Sequence, residues 1–273
     1  MRIFLVVRPN RWCSIDRMKN ILIGGAILCT AVILGLLIFT QQDAAPADEP
    51  TSEKIVYVAQ GKFAEKDNLG KWRFIAGAEQ GDPLSFDDYE AALTSEYIEK
   101  GAGLAFSRGL VQYEGQEVIQ NLITVTNTDF PEVFGFPVSE GRFITNEETE
   151  NSVVVGQALK DELINEHGLE TVIGAQLDVR GTAFTIVGVL DTISTGNTAA
   201  DGDWNKLLMV PRHQSDPILE EAPLVKEIRF IARGTKDLTK AADDVRQKIQ
   251  ESRGKEDFTV LTVTDARQLG LTQ

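Results

Sequence analysis

ILIGGAILCTAVILGLLIFT, residues Ile21 to Thr40, is the stretch on which the reading of the whole chain turns. It carries no charge, and at about 1.5 Å rise per residue a helix of this length spans roughly 30 Å, the thickness of a bilayer's hydrocarbon core. A buried helix of a soluble domain is usually shorter and keeps a polar stripe. Gly24, Gly25 and Gly35 do not argue against a membrane helix, where backbone bonds stay internal and glycine is tolerated. The stretch predicts one transmembrane helix, with Ile21, Leu28, Leu34 and Phe39 as anchor residues.

The flanks set the orientation. Arg2, Arg8, Arg11, Arg17 and Lys19 precede the stretch against a single Asp16, whereas Asp43, Asp48, Glu49 and Glu53 follow it before Lys54. Positive residues stay on the cytoplasmic side, so the pattern predicts a single-pass membrane protein, N-terminus in, with its body extracytoplasmic. The rival is a cleavable signal peptide, for which Ala45-Pro46-Ala47 has the A-x-A form of a processing site. Against it stand a proline beside the cut and an apolar segment longer than the usual ~7–15 residues.

Charge agrees with this topology. The chain carries −14 overall, and five basic residues against one acidic make the first twenty +4. Residues 21–42 are uncharged, which leaves −18 on residues 43–273. Such a body is repelled by phosphate backbones, so nucleic acid is not an expected partner. Both cysteines, Cys13 and Cys29, precede the body, which is thereby expected to stand on its core without disulfides.

The organisation that follows is a cytoplasmic basic tail (1–20), the transmembrane helix (21–40), a linker (41–53) and an extracytoplasmic domain (54–273). In the domain, Lys54 to Ala59 alternates as a strand, and Gly61 to Pro83 holds a short strand or ordered loop around Trp72 and Phe74. Ser85 to Lys100 predicts a helix capped by Ser85 with Asp88 three positions on, carrying Phe86, Tyr89, Leu93 and Tyr97 on one face and stopped by Gly101. Leu104 to Tyr113 and Gln116 to Thr126 predict a hairpin about Glu114-Gly115.

A second round runs from the strand Val153 to Val155 through a helix from Gln157 to about His167 stopped at Gly168. A hairpin of Gln176 to Arg180 and Ala183 to Leu190 follows about Gly181-Thr182, with glycine placed for a type II′ turn. Asp191 to Asn205 predicts a long loop and Leu207 to Val210 a strand ended by Pro211. A third round, strand Lys226 to Ala232, helix Asp237 to Ser252 and strand Phe258 to Val263, has the spacing of a βαβ or split βαβ unit. The fold class is therefore α+β.

Catalytic groupings are scarce. No G-x-x-x-x-G-K-[ST], H-E-x-x-H, C-x-x-C or G-x-S-x-G occurs in the sequence. Of the two histidines, His167 reads as a partner of a helix C-terminus and His213 falls in a loop. Asp201-Gly202-Asp203-Trp204-Asn205 spaces its oxygens like the start of a calcium loop but lacks the later glycine and closing glutamate. No catalytic, cofactor or metal residue is assigned. Asp201, Asp203, Trp204 and Asn205, on the long loop, are the candidate partner or ligand residues.

The segments TDFPEVFGFPVSEGRFITNEE (Thr128 to Glu148), VVVGQALKDELI (Val153 to Ile164) and IGAQLDVRGTAFTIVGVL (Ile173 to Leu190) resemble the periplasmic core domain of MacB-like ABC transporter permeases. Gly141-Arg142-Phe143, Gly174, Gly181, Phe184 and Val187-Gly188-Val189 carry the likeness, and Leu207 to Pro211 looks like a later strand of that family. The resemblance covers roughly Lys54 to Val263. It implies a two-lobed domain of βαβ and split βαβ units and hairpins, one lobe like the porter domains of efflux pumps, which passes conformational change or captures cargo. The resemblance also implies the bacterial inner (cytoplasmic) membrane and a periplasmic body. Those permeases continue into three further membrane helices and work with an ATPase, whereas this sequence shows one span. The expectation is a non-enzymatic accessory or truncated subunit of a MacB-like exporter, with ABC exporter permease and ATPase subunits as partners and lipid met through one helix. The alternative is a stand-alone envelope module that binds a lipid, peptide or protein.

Overall fold

The computed structural model describes residues 52–78, 80–118, 122–147, 150–192, 204–215 and 224–271. The anchor residues Ile21, Leu28, Leu34 and Phe39 lie outside the described residues, as do Asp201 and Asp203. Among the described residues no helix is long and apolar enough to cross a membrane.

The chain begins with β1 (Ile55–Gln60), a small hairpin of β2 (Ala64–Lys66) and β3 (Trp72–Phe74), helix α1 (Phe86–Leu93) and the long β4 (Ile98–Ser107). A central run follows: β5 (Val111–Tyr113), β6 (Gln116–Glu117), β7 (Leu122–Thr126), α2 (Phe130–Phe134), β8 (Val138–Gly141), β9 (Ser152–Val155), α3 (Gln157–Asn165), β10 (Gln176–Val179), β11 (Thr182–Leu190) and β12 (Leu207–Pro211). The chain returns through β13 (Leu224–Ala232), α4 (Leu238–Arg253), β14 (Phe258–Thr262) and α5 (Val263–Gln268).

One 12-stranded sheet runs in the order β14-β1-β13-β4-β7-β12-β9-β11-β10-β5-β6, with β8 attached to β11. β1 is antiparallel to both β13 and β14, and β13 is antiparallel to β4. Hence β1 and β4 run parallel about β13, while β13 and β14 run parallel about β1. Helices α1 and α4 are the two crossovers. This is a pair of interleaved split βαβ units, the form the spacing of the third round allowed. The central run is inserted between β4 and β13 and extends the same sheet from β7 outward.

Two hydrophobic cores give the two-lobed expectation physical content. The larger unites Val56, Val58, Ile228 and Phe230 of the sheet with Phe86 and Tyr89 of α1 and Val245 and Ile249 of α4. The second gathers Val153, Val155, Leu177, Phe184 and Ile186 around Leu159 and Leu163 of α3. Full burial of each such side chain contributes ~1.5–3 kcal/mol. The sheet is continuous between them, so the lobes share backbone hydrogen bonds across β4 and β7.

Two expectations are corrected and one is borne out. α1 ends at Leu93, because Thr94 turns its hydroxyl onto the Ala91 carbonyl (2.7 Å) and the following residues are needed as β4 in the middle of the sheet. Leu93 is 37% exposed and Tyr97 lies beyond the helix. Gly101 is a strand residue, and a Cβ there would stand 2.4 Å from Phe230, whose ring stacks on Tyr89. The hairpin about Glu114-Gly115 forms as expected, with β5 paired to β6 next to the turn and β4 to β7 beyond it, and β5 pairs β10 in addition. Finally, Val179 pairs Thr182, so Arg180 (φ 53) and Gly181 (φ 83) are the turn residues. Positive φ at both is a type I′ turn, one position earlier than expected, and the Asp178 carboxylate accepts the Gly181 N–H at 2.7 Å.

Candidate functional site

Charged residues inside the split βαβ half mark where the fold does more than pack. Asp88 opens α1 in a capping box with Ser85, which explains its place in the sequence but not its 2% exposure. Its carboxylate also accepts from Arg253 Nη1 (2.7 Å), at the last turn of α4. The same guanidinium donates to Asp257 (3.0 and 3.2 Å) and to the carbonyls of Pro83 (3.2 Å) and Asp82 (3.1 Å). Arg253 thus clamps the two crossover helices and the entry to β14. Burial opposes the charge of Asp257, but the Asp82 N–H and the Lys255 and Arg253 cations outweigh it and hold its pKa below the usual carboxylate value.

On the opposite face of the sheet, β13 carries Glu227 and Arg229, two residues apart and therefore on one side. Their side chains are 3% and 4% exposed and meet at 2.6 Å. Arg229 also lies over Tyr57 (5.4 Å) and Phe134 (4.3 Å). Burial works against its charge, yet Glu227 and Tyr57 keep its pKa raised.

From Phe134, on α2 of the central run, a run of ring contacts continues through the larger core. Phe134 stacks on Phe130 (4.7 Å), Phe130 meets Phe136 (5.4 Å), and Phe136 meets Trp204 (5.4 Å), which also touches Phe106 (5.7 Å). The buried ion pair of β13 and Trp204, just ahead of β12, are joined by contiguous packed rings within the larger core.

Of the four loop residues singled out in the sequence, Trp204 and Asn205 are described. Trp204 is 5% exposed and belongs to the larger core, so its indole anchors the loop's end. The Asn205 carbonyl stands 2.4 Å from where a Cβ on Gly156 would be, which makes glycine necessary there. His167 meets Tyr113 edge-on at 5.6 Å, and His213 is exposed. No group of three His, Cys, Asp or Glu residues is arranged to hold a metal ion among the described residues.

Sequence reasoning found Asp88 as a cap and missed its partner, which lies 165 residues away. It also passed over Glu227 and Arg229, although two opposite charges at i and i+2 inside an apolar strand are a legible signal of a buried pair.

The profile of the MacB-like periplasmic core domain matches residues 21–248, most of the chain, starting at the first residue of the apolar stretch. The chain belongs to that family. Membership makes the described residues an extracytoplasmic domain of the ABC transporter permease type. The fold agrees: the periplasmic region of MacB from Actinobacillus actinomycetemcomitans superposes with a TM-score of 0.60 at 15% identity, over 81% of this chain and 95% of that one. The extracellular domain of the noncanonic ABC-type transporter YknZ from Gram-positive bacteria gives 0.51 at 12% identity, over 76% and 99%.

Among curated proteins, the pyoverdine export ATP-binding/permease protein PvdT of Pseudomonas fluorescens (strain Pf0-1) is 30% identical over 88 residues, 31% of this chain and 13% of that protein. Its Pseudomonas aeruginosa counterpart is 26% identical over 136 residues, 47% and 19%. The chain therefore spans less than a fifth of the length of these relatives.

Proposed function

We propose that this MacB-like domain serves as a non-catalytic, membrane-anchored subunit of an ABC exporter, held by the helix Ile21 to Thr40 with its N-terminus in the cytoplasm. The observation that carries the reading is the family match running unbroken from the apolar stretch into the folded body. The entry to β1 is held to the body by a two-pronged pair of Glu53 with Arg267 of α5 at 2.7 and 2.9 Å.

The named relatives combine ATP-binding and permease parts. This sequence contains no phosphate-binding G-x-x-x-x-G-K-[ST] loop, so ATP hydrolysis belongs to a partner or to a part outside it. The domain's role is then mechanical: the ring contacts from Arg229 to Trp204 couple β13 to the entry to β12 through the larger core, in the sense of a contiguous packed network.

Affinity purification of the full chain from mild detergent tests this reading. Co-purification of an ATP-binding subunit and a multi-span permease is expected. Repeated recovery of the chain without either overturns it. Alkaline phosphatase fused at the C-terminus is expected to be active only outside the cytoplasm.

A further inference from the structure

β14 ends the long sheet, and no strand pairs with its outer edge among the described residues. The Val260 carbonyl points outward, where Arg246 Nη2 meets it at 3.2 Å, and the Thr262 N–H points the same way, taken by the Asp265 carboxylate at 3.0 Å. By the alternation of an antiparallel ladder, the backbone of Phe258 also faces out. Across a groove of ≈ 290 Å³ lies β2, which pairs only with β3 among the described residues. The two edges are tied at the base alone, where the Phe63 N–H donates to Thr259 Oγ1 (3.1 Å) and that hydroxyl donates to the Gly61 carbonyl (2.7 Å). Beyond this tie a side chain, Arg246, stands where a strand would be. A strand edge without a partner is a template for an added strand.

Charge and side chains say what kind of strand fits. Residues 62–78 carry four basic side chains against two acidic ones, a basic spot on a strongly acidic body. Glu65 is held by Arg73 (2.7 Å) and Lys62 by Glu256 (3.2 Å). Lys66 lines the groove, lies over the Trp72 ring at 5.4 Å and has no carboxylate within ion-pair distance among the described residues. The buried Trp72 Nε1 donates to no acceptor among the described residues.

We propose that this groove takes an extended peptide segment of a partner protein, added as a strand between β14 and β2, with an acidic side chain set against Lys66. Backbone hydrogen bonds to Phe258 and, once Arg246 swings aside, to the Val260 carbonyl supply the affinity, and Lys66 supplies the preference. The inference is independent of the exporter reading, because it concerns the form of the bound segment and not the protein that carries it.

The test uses the full chain in detergent, titrated with acetyl-Thr-Val-Thr-Val-Glu-Val-Thr-amide and followed by amide hydrogen exchange. Two control peptides replace the central valine by proline or the glutamate by lysine. The acidic peptide is expected to slow exchange at Phe258 to Thr262 and Ala64 to Lys66, and the lysine peptide to bind about tenfold more weakly, a difference of ~1.4 kcal/mol. Lys66→Glu, an exposed change that leaves the fold intact, is expected to reverse that order. No slowing at about 1 mM acidic peptide, a concentration that detects binding as weak as ~4 kcal/mol, overturns the proposal. Equal protection by the proline peptide, or protection only elsewhere in the chain, overturns it too.

Discussion

Arg253→Ala removes the clamp between the two crossover helices, and its cost follows from what is left behind. The guanidinium is 8% exposed and makes five hydrogen bonds, and Asp88 beneath it is 2% exposed. Removing one partner of a buried pair costs ~3–5 kcal/mol because the other charge stays uncompensated. Asp88 keeps two donors, the Ser85 N–H (2.7 Å) and hydroxyl (3.0 Å), so the lower end applies, about 3 kcal/mol. For a body of this size that lowers the melting temperature by ~6–12 °C. Asp88→Asn neutralises the stranded charge while preserving an acceptor for the cap. Combined with Arg253→Ala it is therefore expected to be neutral or stabilising, whereas alone it costs ~1–2 kcal/mol, a coupling of ~2 kcal/mol.

Acid provides a second readout of the same clamp. Asp257 has a lowered pKa in the fold, so its contribution is present above the unfolded value of ~3.9 and is lost as pH falls through the folded one. Arg253→Ala should flatten the loss of stability below about pH 4. Urea titration of the full chain in detergent, read by tryptophan fluorescence, measures all of these. A cost below ~1 kcal/mol, or additive single and double variants, would refute the clamp.

Gly188→Ala puts a Cβ 2.0 Å from the Arg142 carbonyl, a backbone atom that cannot swing aside, and is expected to cost about 3 kcal/mol in the same titration. Glu227→Leu alone strands Arg229 and is expected to cost ~3–4 kcal/mol, while Glu227→Leu with Arg229→Met should lie within about 1 kcal/mol of the parent. Leu69, 82% exposed at the tip of the β2–β3 hairpin, supplies the contrast: Leu69→Asp is expected to stay within ~0.5 kcal/mol by thermal unfolding.

Much of the fold is legible in local pattern. The capping box at Ser85, the left-handed stop at Gly168 and the apolar stripe of α4 are each properties of a few neighbouring residues, and the structure reproduces them. Where the reading slipped, a distant partner had won. Residues 94–100 look helical, but β13 claims them from Ile98 onward as the middle of a sheet. Helix α5 escaped notice since its capping box, Thr262 with Asp265, follows directly on a strand.

The sequence alone determined the apolar stretch, the sign of the charge on either side of it, the α+β alternation and the family likeness, because these depend on composition and on spacings short enough to read along the chain. Tertiary structure alone decided that Asp88 meets Arg253, that Trp204 is buried among rings, and that β14 and β2 line one groove. Those outcomes depend on which segments become neighbours when one sheet threads residues some two hundred positions apart, and the free energy of such contacts is written in no single stretch.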